Sequence, residues 1–107
     1  PIFCPSAEHH PGPTIPNTEG KFKIVERPPE LLDGSLSLSR IRKLLSDLVE
    51  SRNDHHLAYL SGLELFNEHD AGDLPDDLHP NPAGYRRMGK RFADRVFSDG
   101  GILQSIS

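Results

Sequence analysis

Residues 73–85 read Asp-Leu-Pro-Asp-Asp-Leu-His-Pro-Asn-Pro-Ala-Gly-Tyr, and the predicted fold is arranged around this stretch. Asn81 followed by Pro82 is typical of a helix start. An asparagine side chain can cap the first turn, and proline at the first helical position has no N–H to leave unpaired. The stretch therefore predicts a loop at residues 73–80 that leads into a last helix over about residues 81–98.

A second amphipathic helix is predicted earlier in the chain. Apolar residues recur at helical spacing from Leu38 onward, with Arg42 and other charged residues on the opposite, solvated side, which indicates a helix from about Ser37 to Arg52. The short apolar runs Ile2–Cys4 and Leu57–Leu60 are typical of buried parallel strands. The order strand, loop, helix, strand, loop, helix favours an α/β domain with a parallel sheet.

The composition is that of one small globular domain. The chain has 107 residues, and 16 acidic against 12 basic residues give a net charge of −4. This balance argues against a broad nucleic-acid-binding surface, so no nucleic-acid partner is expected. The single cysteine, Cys4, excludes an intrachain disulfide framework and is expected to be buried and inert. Neither a membrane span nor a signal peptide is recognisable, which leaves the compartment open with the cytoplasm slightly favoured.

A long proline-rich loop is predicted over about residues 5–34, in which only residues 22–25 resemble a strand. Connections of this length inside a compact domain are usually functional or disordered. For residues 8–29 two roles stay open: contact with a substrate, and disorder or packing against another domain. Because Ile2–Cys4 resembles the end of a strand whose beginning is absent, and the chain opens on Pro1, a fragment of a longer protein is expected.

Asp76 and His79 are the candidate catalytic residues. A serine hydrolase needs an imidazole that takes the proton of the nucleophile and a carboxylate that fixes the imidazole tautomer. A spacing of three residues lets the Asp76 carboxylate reach Nδ1, and Pro80 keeps His79 extended, just outside the helix. The alternative is a solvated acidic loop in which Asp73, Asp76 and Asp77 favour the following helix N-terminus. Asp-x-x-His in isolation is a weak signal.

The run from Asp76 to Met88 resembles the C-terminal motif of the SGNH hydrolases, also called the GDSL lipase/esterase family. Their pattern is Asp-x-x-His-Pro-Asn-x-x-Gly-Tyr followed by an amphipathic helix, and every fixed position is matched. Upstream, the opening Pro-Ile-Phe-Cys-Pro, the proline-rich loop and the run Gly62–Phe66 are also similar to that family. The resemblance implies that residues 1–107 are the C-terminal part of one three-layer α/β/α, flavodoxin-like domain with parallel strands.

The resemblance also implies a function. It would be hydrolysis of a small-molecule or lipid acyl ester, as by an esterase, lipase or acetylhydrolase, without a cofactor. His79 would be the base and Asp76 the triad acid, in preference to Asp77, which stands where the family often has a small residue. The family's nucleophilic serine, its oxyanion-hole glycine and its Gly-x-Asn asparagine lie upstream of this chain, which alone is expected to be inactive. An acyltransferase of the same fold and a non-catalytic interaction module are the alternatives.

Three further features of the sequence concern metal binding, the basic residues of the last helix and association. The pairs His9–His10 and His55–His56 do not predict a metal site, because adjacent side chains on a strand point to opposite sides and neither pair has helical i, i+4 spacing. The basic residues of the last helix, from Arg86 to Arg95, are interpreted as a solvated face. A truncated sheet would expose apolar surface, so we expect association of the chain with itself or with the missing N-terminal portion.

Overall fold

The structure is a computed structural model that describes residues 1–106, with side chains described through residue 104. In chain order these residues form β1 (Thr14–Pro16), β2 (Phe22–Ile24), a 3-10 turn (Pro29–Leu31), α1 (Leu38–Arg52), 3-10 turns at Gly62–Glu64 and Glu68–Asp73, α2 (Pro82–Val96) and α3 (Ile102–Ile106).

The prediction of a three-layer α/β/α, flavodoxin-like domain with parallel strands is wrong. The sheet of residues 1–106 is a hairpin in which β1 and β2 run antiparallel, with Thr14 opposite Ile24. The side chain of Asn17 closes the turn between them by accepting from the backbone N–H of Lys21. Gly20 takes a φ of 77° in that turn, a left-handed conformation that suits a residue without Cβ. The proline-rich loop therefore supplies both strands of the sheet.

The two runs predicted as parallel strands, Ile2–Cys4 and Leu57–Leu60, lie outside the strands of the described chain. A parallel strand is stable only when a ladder of hydrogen bonds joins it to a neighbour. Here the backbone N–H of Phe3 donates to the carbonyl of Phe66, at 3.2 Å, instead of to a strand. The apolar character of residues 57–60 does not reflect burial, because Leu57 is 40% exposed.

Both long helices occur where the sequence predicts them, although α2 ends at Val96, slightly earlier than expected. The side chain of Ser37 caps α1 by accepting from the backbone N–H of Arg40, and Asn53 ends the helix in the left-handed region with a φ of 49°. The side chain of Asn81 caps α2 by accepting from the N–H of Gly84 at 2.8 Å. Local capping chemistry thus fixes these boundaries.

The buried side of α1 differs from the prediction. Arg42, expected on the solvated face, is 6% exposed, and its guanidinium donates to the carbonyl of Pro1 and to the carboxylate of Glu8. These polar contacts attach α1 to the start of the chain. The expected apolar face is instead largely open to solvent: Leu44, Leu45 and Leu48 are 42–55% exposed.

The apolar core is small and lies between the start of the chain, the segment before the loop at residues 73–80, and α2. Phe66 is fully buried, and Cys4, Ala7, Leu74 and Val96 are also buried in the chain's small core. The molecule measures 47 × 35 × 16 Å with a radius of gyration of 16.1 Å, whereas a compact domain of this length has about 13 Å. It is therefore flat, with much apolar helix surface uncovered.

Helices long and apolar enough to cross a membrane do not occur among the described residues.

Candidate acid–base site

The loop at residues 73–80 is fixed at both of its ends. Leu74 is 3% exposed, and Pro80 is also buried. The backbone N–H of Asn81 donates to the carbonyl of Asp73 at 2.8 Å, which closes the loop. Gly84 allows the first turn of α2 to pack tightly, because a Cβ there would lie 3.1 Å from Cβ of Pro80. The start of α2 therefore sits directly against the loop.

Asp76 and His79 lie in direct contact within this loop. One carboxylate oxygen of Asp76 accepts from the backbone N–H groups of Leu78, at 3.0 Å, and His79, at 2.7 Å. The other oxygen lies 2.6 Å from Nδ1 of the His79 imidazole. The carboxylate is thus held by the turn that also presents the imidazole, and this turn orients both groups together.

These hydrogen bonds set the charge and the tautomer of the pair. The backbone N–H of His79, followed by its imidazole, lowers the pKa of Asp76 to about 2. The carboxylate is therefore ionised near neutral pH and can only accept hydrogen bonds, so the proton between the two groups belongs to Nδ1. A neutral imidazole then has a free lone pair on Nε2. The side chain of His79 is 61% exposed, which leaves Nε2 accessible to a reacting group.

We expect titration of the Asp76 carboxyl carbon by NMR to give a pKa of about 2, well below its ordinary 3.8. Because the folded chain binds this proton less readily than the unfolded chain, the stability contributed by Asp76 is complete above about pH 4 and is lost as the pH falls through about 2. As the pH falls from about 4 to about 2, the free energy of unfolding measured in urea should therefore decrease less for the Asp76→Asn variant than for the wild type. A carboxyl that titrates near 3.8 would contradict the geometry.

Asp77 faces away from the imidazole. Its carboxylate lies 2.6 Å from Nζ of Lys23, and its carbonyl accepts a weak 3.5 Å contact from Sγ of the buried Cys4. The backbone of Asp77 is left-handed, with a φ of 63°. Glycine would adopt this conformation without strain, whereas a residue with a side chain adopts it at a cost. Of the two adjacent carboxylates, that of Asp76 contacts His79.

The hairpin of β1 and β2 also contacts the loop. The backbone N–H of Phe22 donates to the carbonyl of Asp76 at 2.7 Å. The Phe22 ring lies edge-on to the His79 imidazole, with centroids 5.5 Å apart and planes at 82°. The sequence predicts a strand-like run at residues 22–25, but nothing in it places Phe22 beside His79. Its turn residues, Asn17 and Gly20, are the sequence signal for the hairpin.

A network of charged residues joins the segment before the loop to α2. Asp70 is 7% exposed; its carboxylate accepts two hydrogen bonds from Arg91, at 2.7 and 3.1 Å, and one from Arg87. Arg87 also donates to Asp73 at the start of the loop. The hydrogen bonds from Arg91 hold the pKa of Asp70 below its ordinary value, against the effect of burial. Arg87 and Arg91 thus pair with acidic residues and are partly exposed, whereas Arg86, Lys90 and Arg95 on the same helix are exposed.

Among the side chains that the structure describes, a nucleophile does not accompany this pair. Within the residues whose side chains are described, His79 forms hydrogen bonds to Asp76 and to no serine hydroxyl. Chemically, the site can accept a proton on Nε2 and stabilise the resulting imidazolium, but it does not itself supply an attacking group.

A cleft of about 800 Å³ lies elsewhere on the molecule, between α1 and the 3-10 turns. Glu8, Arg42 and Tyr59 line it, and one carboxylate oxygen of Glu8 and the Tyr59 hydroxyl are buried without a hydrogen-bond partner among the described residues. Neither Asp76 nor His79 lines this cleft. The candidate acid–base pair is therefore on an open surface.

Asp54, His55 and His56 are the described residues that could together hold a metal ion, since one donor atom from each lies within 4.8 Å of the others. The strand geometry assumed for this histidine pair does not occur: the residues form a turn, and the two imidazole centroids are 3.8 Å apart. All three residues are exposed. Three exposed donors on a surface turn do not define a metal site by themselves. That this turn binds no metal ion remains a prediction.

Comparison of the chain with models of protein families, with curated proteins and with solved structures gave no match.

Proposed function

We propose that Asp76 and His79 are the acid and base of a serine ester hydrolase of the SGNH type. The observation that carries this proposal is the 2.6 Å contact between the Asp76 carboxylate and Nδ1 of His79. Two backbone N–H groups donate to the same carboxylate. The side chain of His79 is 61% exposed, which leaves its Nε2 accessible. The match to Asp-x-x-His-Pro-Asn-x-x-Gly-Tyr at residues 76–85 supports the assignment to this family.

The chemistry follows from the orientation of the imidazole. Nε2 of His79 takes the proton of a serine hydroxyl as the serine oxygen bonds to the carbonyl carbon of the ester. Asp76 stabilises the imidazolium through the Nδ1–H hydrogen bond. The imidazolium then gives its Nε2 proton to the leaving alkoxide as the ester C–O bond breaks. A water molecule, deprotonated by Nε2, then attacks the acyl carbon of the acyl-serine. As the bond between this carbon and the serine oxygen breaks, the imidazolium returns the proton to that oxygen, which releases the acid and restores the serine and the neutral imidazole.

The nucleophile and the oxyanion hole are proposed to come from polypeptide outside residues 1–107. The SGNH pattern places its Gly-Asp-Ser serine, a glycine and an asparagine upstream of the segment that this chain resembles. The substrate is a small-molecule or lipid acyl ester, and the pair itself requires no cofactor. Acyl transfer is the same chemistry with an alcohol in place of water, so the geometry of Asp76 and His79 suits both.

Uncovered apolar surface supports a second proposal: this chain associates with itself or with the polypeptide that carries the nucleophile. Leu44, Leu45 and Leu48 on α1, and Tyr85 and Phe92 on α2, are 41–55% exposed. Groups of large apolar side chains exposed on a helix are typical of interaction sites. A non-catalytic interaction module would use the same surface.

We expect sedimentation of the isolated chain to show oligomers, because burying these side chains removes apolar surface from water. The Leu45→Glu, Leu48→Glu variant should shift the distribution toward monomer, whereas Lys43→Glu, on the same helix but in an exposed ion pair, should not. A monodisperse, well-folded monomer at high concentration would contradict the association.

The test of the proposed function uses a fluorophosphonate probe, which forms a covalent bond with activated serines. We expect the isolated chain to remain unlabelled, because none of the serine hydroxyls described through residue 104 forms a hydrogen bond with the His79 imidazole. A longer polypeptide that includes the upstream sequence should be labelled on one serine outside residues 1–107 and should hydrolyse p-nitrophenyl acetate. Stoichiometric labelling of the isolated chain at one of its own serines would contradict the proposal, as would an inert longer polypeptide.

A further inference from the structure

The proline-rich loop contributes a structured arm to the candidate site. The arm, defined as residues 14–24, comprises β1, β2 and their turn, and its second strand runs beside the loop at residues 73–80. Lys23 of the arm and Asp77 of the loop are 54 positions apart in sequence, yet three contacts of different kinds join arm and loop. This concentration of contacts on the few residues around His79 requires an explanation.

The first contact is with the main chain. The N–H of Phe22 donates to the carbonyl of Asp76 at 2.7 Å. This bond fixes the position of the residue whose side chain accepts from both the backbone and the imidazole of His79. A shift of the Asp76 backbone would lengthen the hydrogen bond to Nδ1.

The second contact is with the imidazole itself. The hydrogen bond to Asp76 restrains Nδ1, but the side chain of His79 is 61% exposed. The Phe22 ring packs edge-on against the imidazole, with centroids 5.5 Å apart, in the T-shaped geometry that aromatic pairs prefer. Two restraints, one at Nδ1 and one at the ring, define the direction of Nε2.

The third contact joins the arm to the turn of the loop. Nζ of Lys23 lies 2.6 Å from the carboxylate of Asp77, whose backbone has a φ of 63°. A left-handed conformation is unfavourable for a residue with a side chain. The ion pair with Lys23 ties this turn to the arm and so holds Asp76 and His79 on either side of it.

We infer that Phe22 is a positioning residue for the Asp76–His79 pair, with Lys23 as the contact that keeps the arm on the loop. This inference rests on the proposed function for its catalytic consequence, although the positioning itself does not depend on it. It assigns a role in the site to the proline-rich segment, for which substrate contact and disorder were both open.

An arm that merely covered the loop would contribute to stability without affecting the imidazole. A covering role and a positioning role therefore predict different effects for a substitution in the arm. Loss of a covering residue lowers the melting temperature, whereas loss of a positioning residue changes the Nδ1–H hydrogen bond of His79 and the turnover number. The chain offers a matched control in Ile15, which lies opposite Lys23 in the same hairpin and is 53% exposed.

The first experiment uses this chain and NMR of the His79 imidazole. In the wild type, we expect a downfield Nδ1–H resonance, because the proton is held in the hydrogen bond to Asp76. Phe22→Ala should lose this resonance through faster exchange with water, and Phe22→Tyr, which keeps the ring, should restore it. Ile15→Ala should leave it in place. If Phe22→Ala prevents folding, Lys23→Met tests whether the arm restrains the imidazole, because it removes only the ion pair with Asp77 at the surface. We expect Lys23→Met to broaden the Nδ1–H resonance and Lys23→Arg, which keeps the charge, to leave it unchanged.

The second experiment uses the longer polypeptide that carries the serine. Phe22→Ala is expected to lower kcat for p-nitrophenyl acetate about 10-fold with KM within about 2-fold of wild type, because misplacing a catalytic group affects the chemical step. An unchanged Nδ1–H resonance in Phe22→Ala, or an unchanged kcat in an active enzyme, would overturn the inference. An inactive longer polypeptide whose isolated chain still shows the loss of the resonance would refute the proposed function and leave the positioning role standing.

Discussion

Replacing Asp76 with asparagine, in a polypeptide that carries both this chain and the nucleophilic serine, is expected to lower kcat for ester hydrolysis about 10⁴-fold. The carboxylate holds the proton of His79 on Nδ1 through a 2.6 Å contact. An asparagine amide would donate to Nδ1 and thereby favour a proton on Nε2, where it blocks removal of the serine proton. It also carries no charge to stabilise the imidazolium. Steady-state hydrolysis of p-nitrophenyl acetate measures the change.

Asp77→Asn is the matched control, since the same substitution is made one residue away. It removes a charge that faces Lys23 at 2.6 Å and leaves both the Asp76 carboxylate and the His79 imidazole chemically intact, so it acts on the pair only by loosening the arm. We expect it to cost no more than about 10-fold in kcat, because misplacing the pair costs less than losing the charge of its acid. Equal losses for the two variants would show that the Asp76 carboxylate has no special role.

Replacing Asp70 with alanine is expected to lower the free energy of unfolding by about 2–3 kcal/mol. Asp70 is buried and accepts hydrogen bonds from Arg87 and Arg91, so its removal leaves Arg91 without its carboxylate and Arg87 with that of Asp73 alone. The arginine side chains are 39% and 31% exposed, and water can partly replace the carboxylate. The expected loss is therefore below the largest values for buried pairs. Urea unfolding followed by circular dichroism measures it.

Asp47→Ala provides the comparison for Asp70. Asp47 also pairs with a cation, Lys43, but both side chains are more than half exposed on α1. Its removal is expected to change the free energy of unfolding by no more than about 0.5 kcal/mol. A loss for Asp70→Ala as small as that for Asp47→Ala would contradict the role of the charged network in holding α2 against the loop.

The sequence predicts the helices well because their signals are local. Ser37 and Asn81 cap helices that begin at the next residue, and Asn53 ends α1 in a left-handed conformation. The acid–base contact is equally local, since three residues of separation suffice for Asp76 to reach the His79 imidazole. A structural feature that depends only on residues a few positions apart can be predicted from the sequence of that short segment.

The sheet was not predictable in the same way, because a strand depends on what lies beside it. Leu57–Leu60 is apolar enough for a parallel strand, but no ladder reaches it within residues 1–106, and it stays outside the sheet. The strand at Phe22–Ile24 instead pairs with Thr14–Pro16, its neighbour across a short turn. The apolar character of a segment indicates a tendency to form an extended strand, but it does not determine which other strand will pair with it.

Burial of the helix faces was also mispredicted for a physical reason. Periodicity shows which side of α1 is apolar, but burial requires a surface to cover that side. Arg42 is buried because Glu8 and the Pro1 carbonyl satisfy its guanidinium, whereas Leu48 is 55% exposed. Likewise, the contact of Phe22 with His79 depends on how a long loop folds back, which spacing along the chain does not encode.

The most direct measurement of the central claim is the rate at which a fluorophosphonate labels the longer polypeptide, with His79 intact and with His79→Ala. The proposed mechanism predicts one labelled serine outside residues 1–107 and a labelling rate that falls about 10³-fold when the base is removed. His69→Ala, which removes an exposed imidazole elsewhere, should leave the rate unchanged. Labelling at the same rate in the His79→Ala variant would contradict the assignment of His79 as the base.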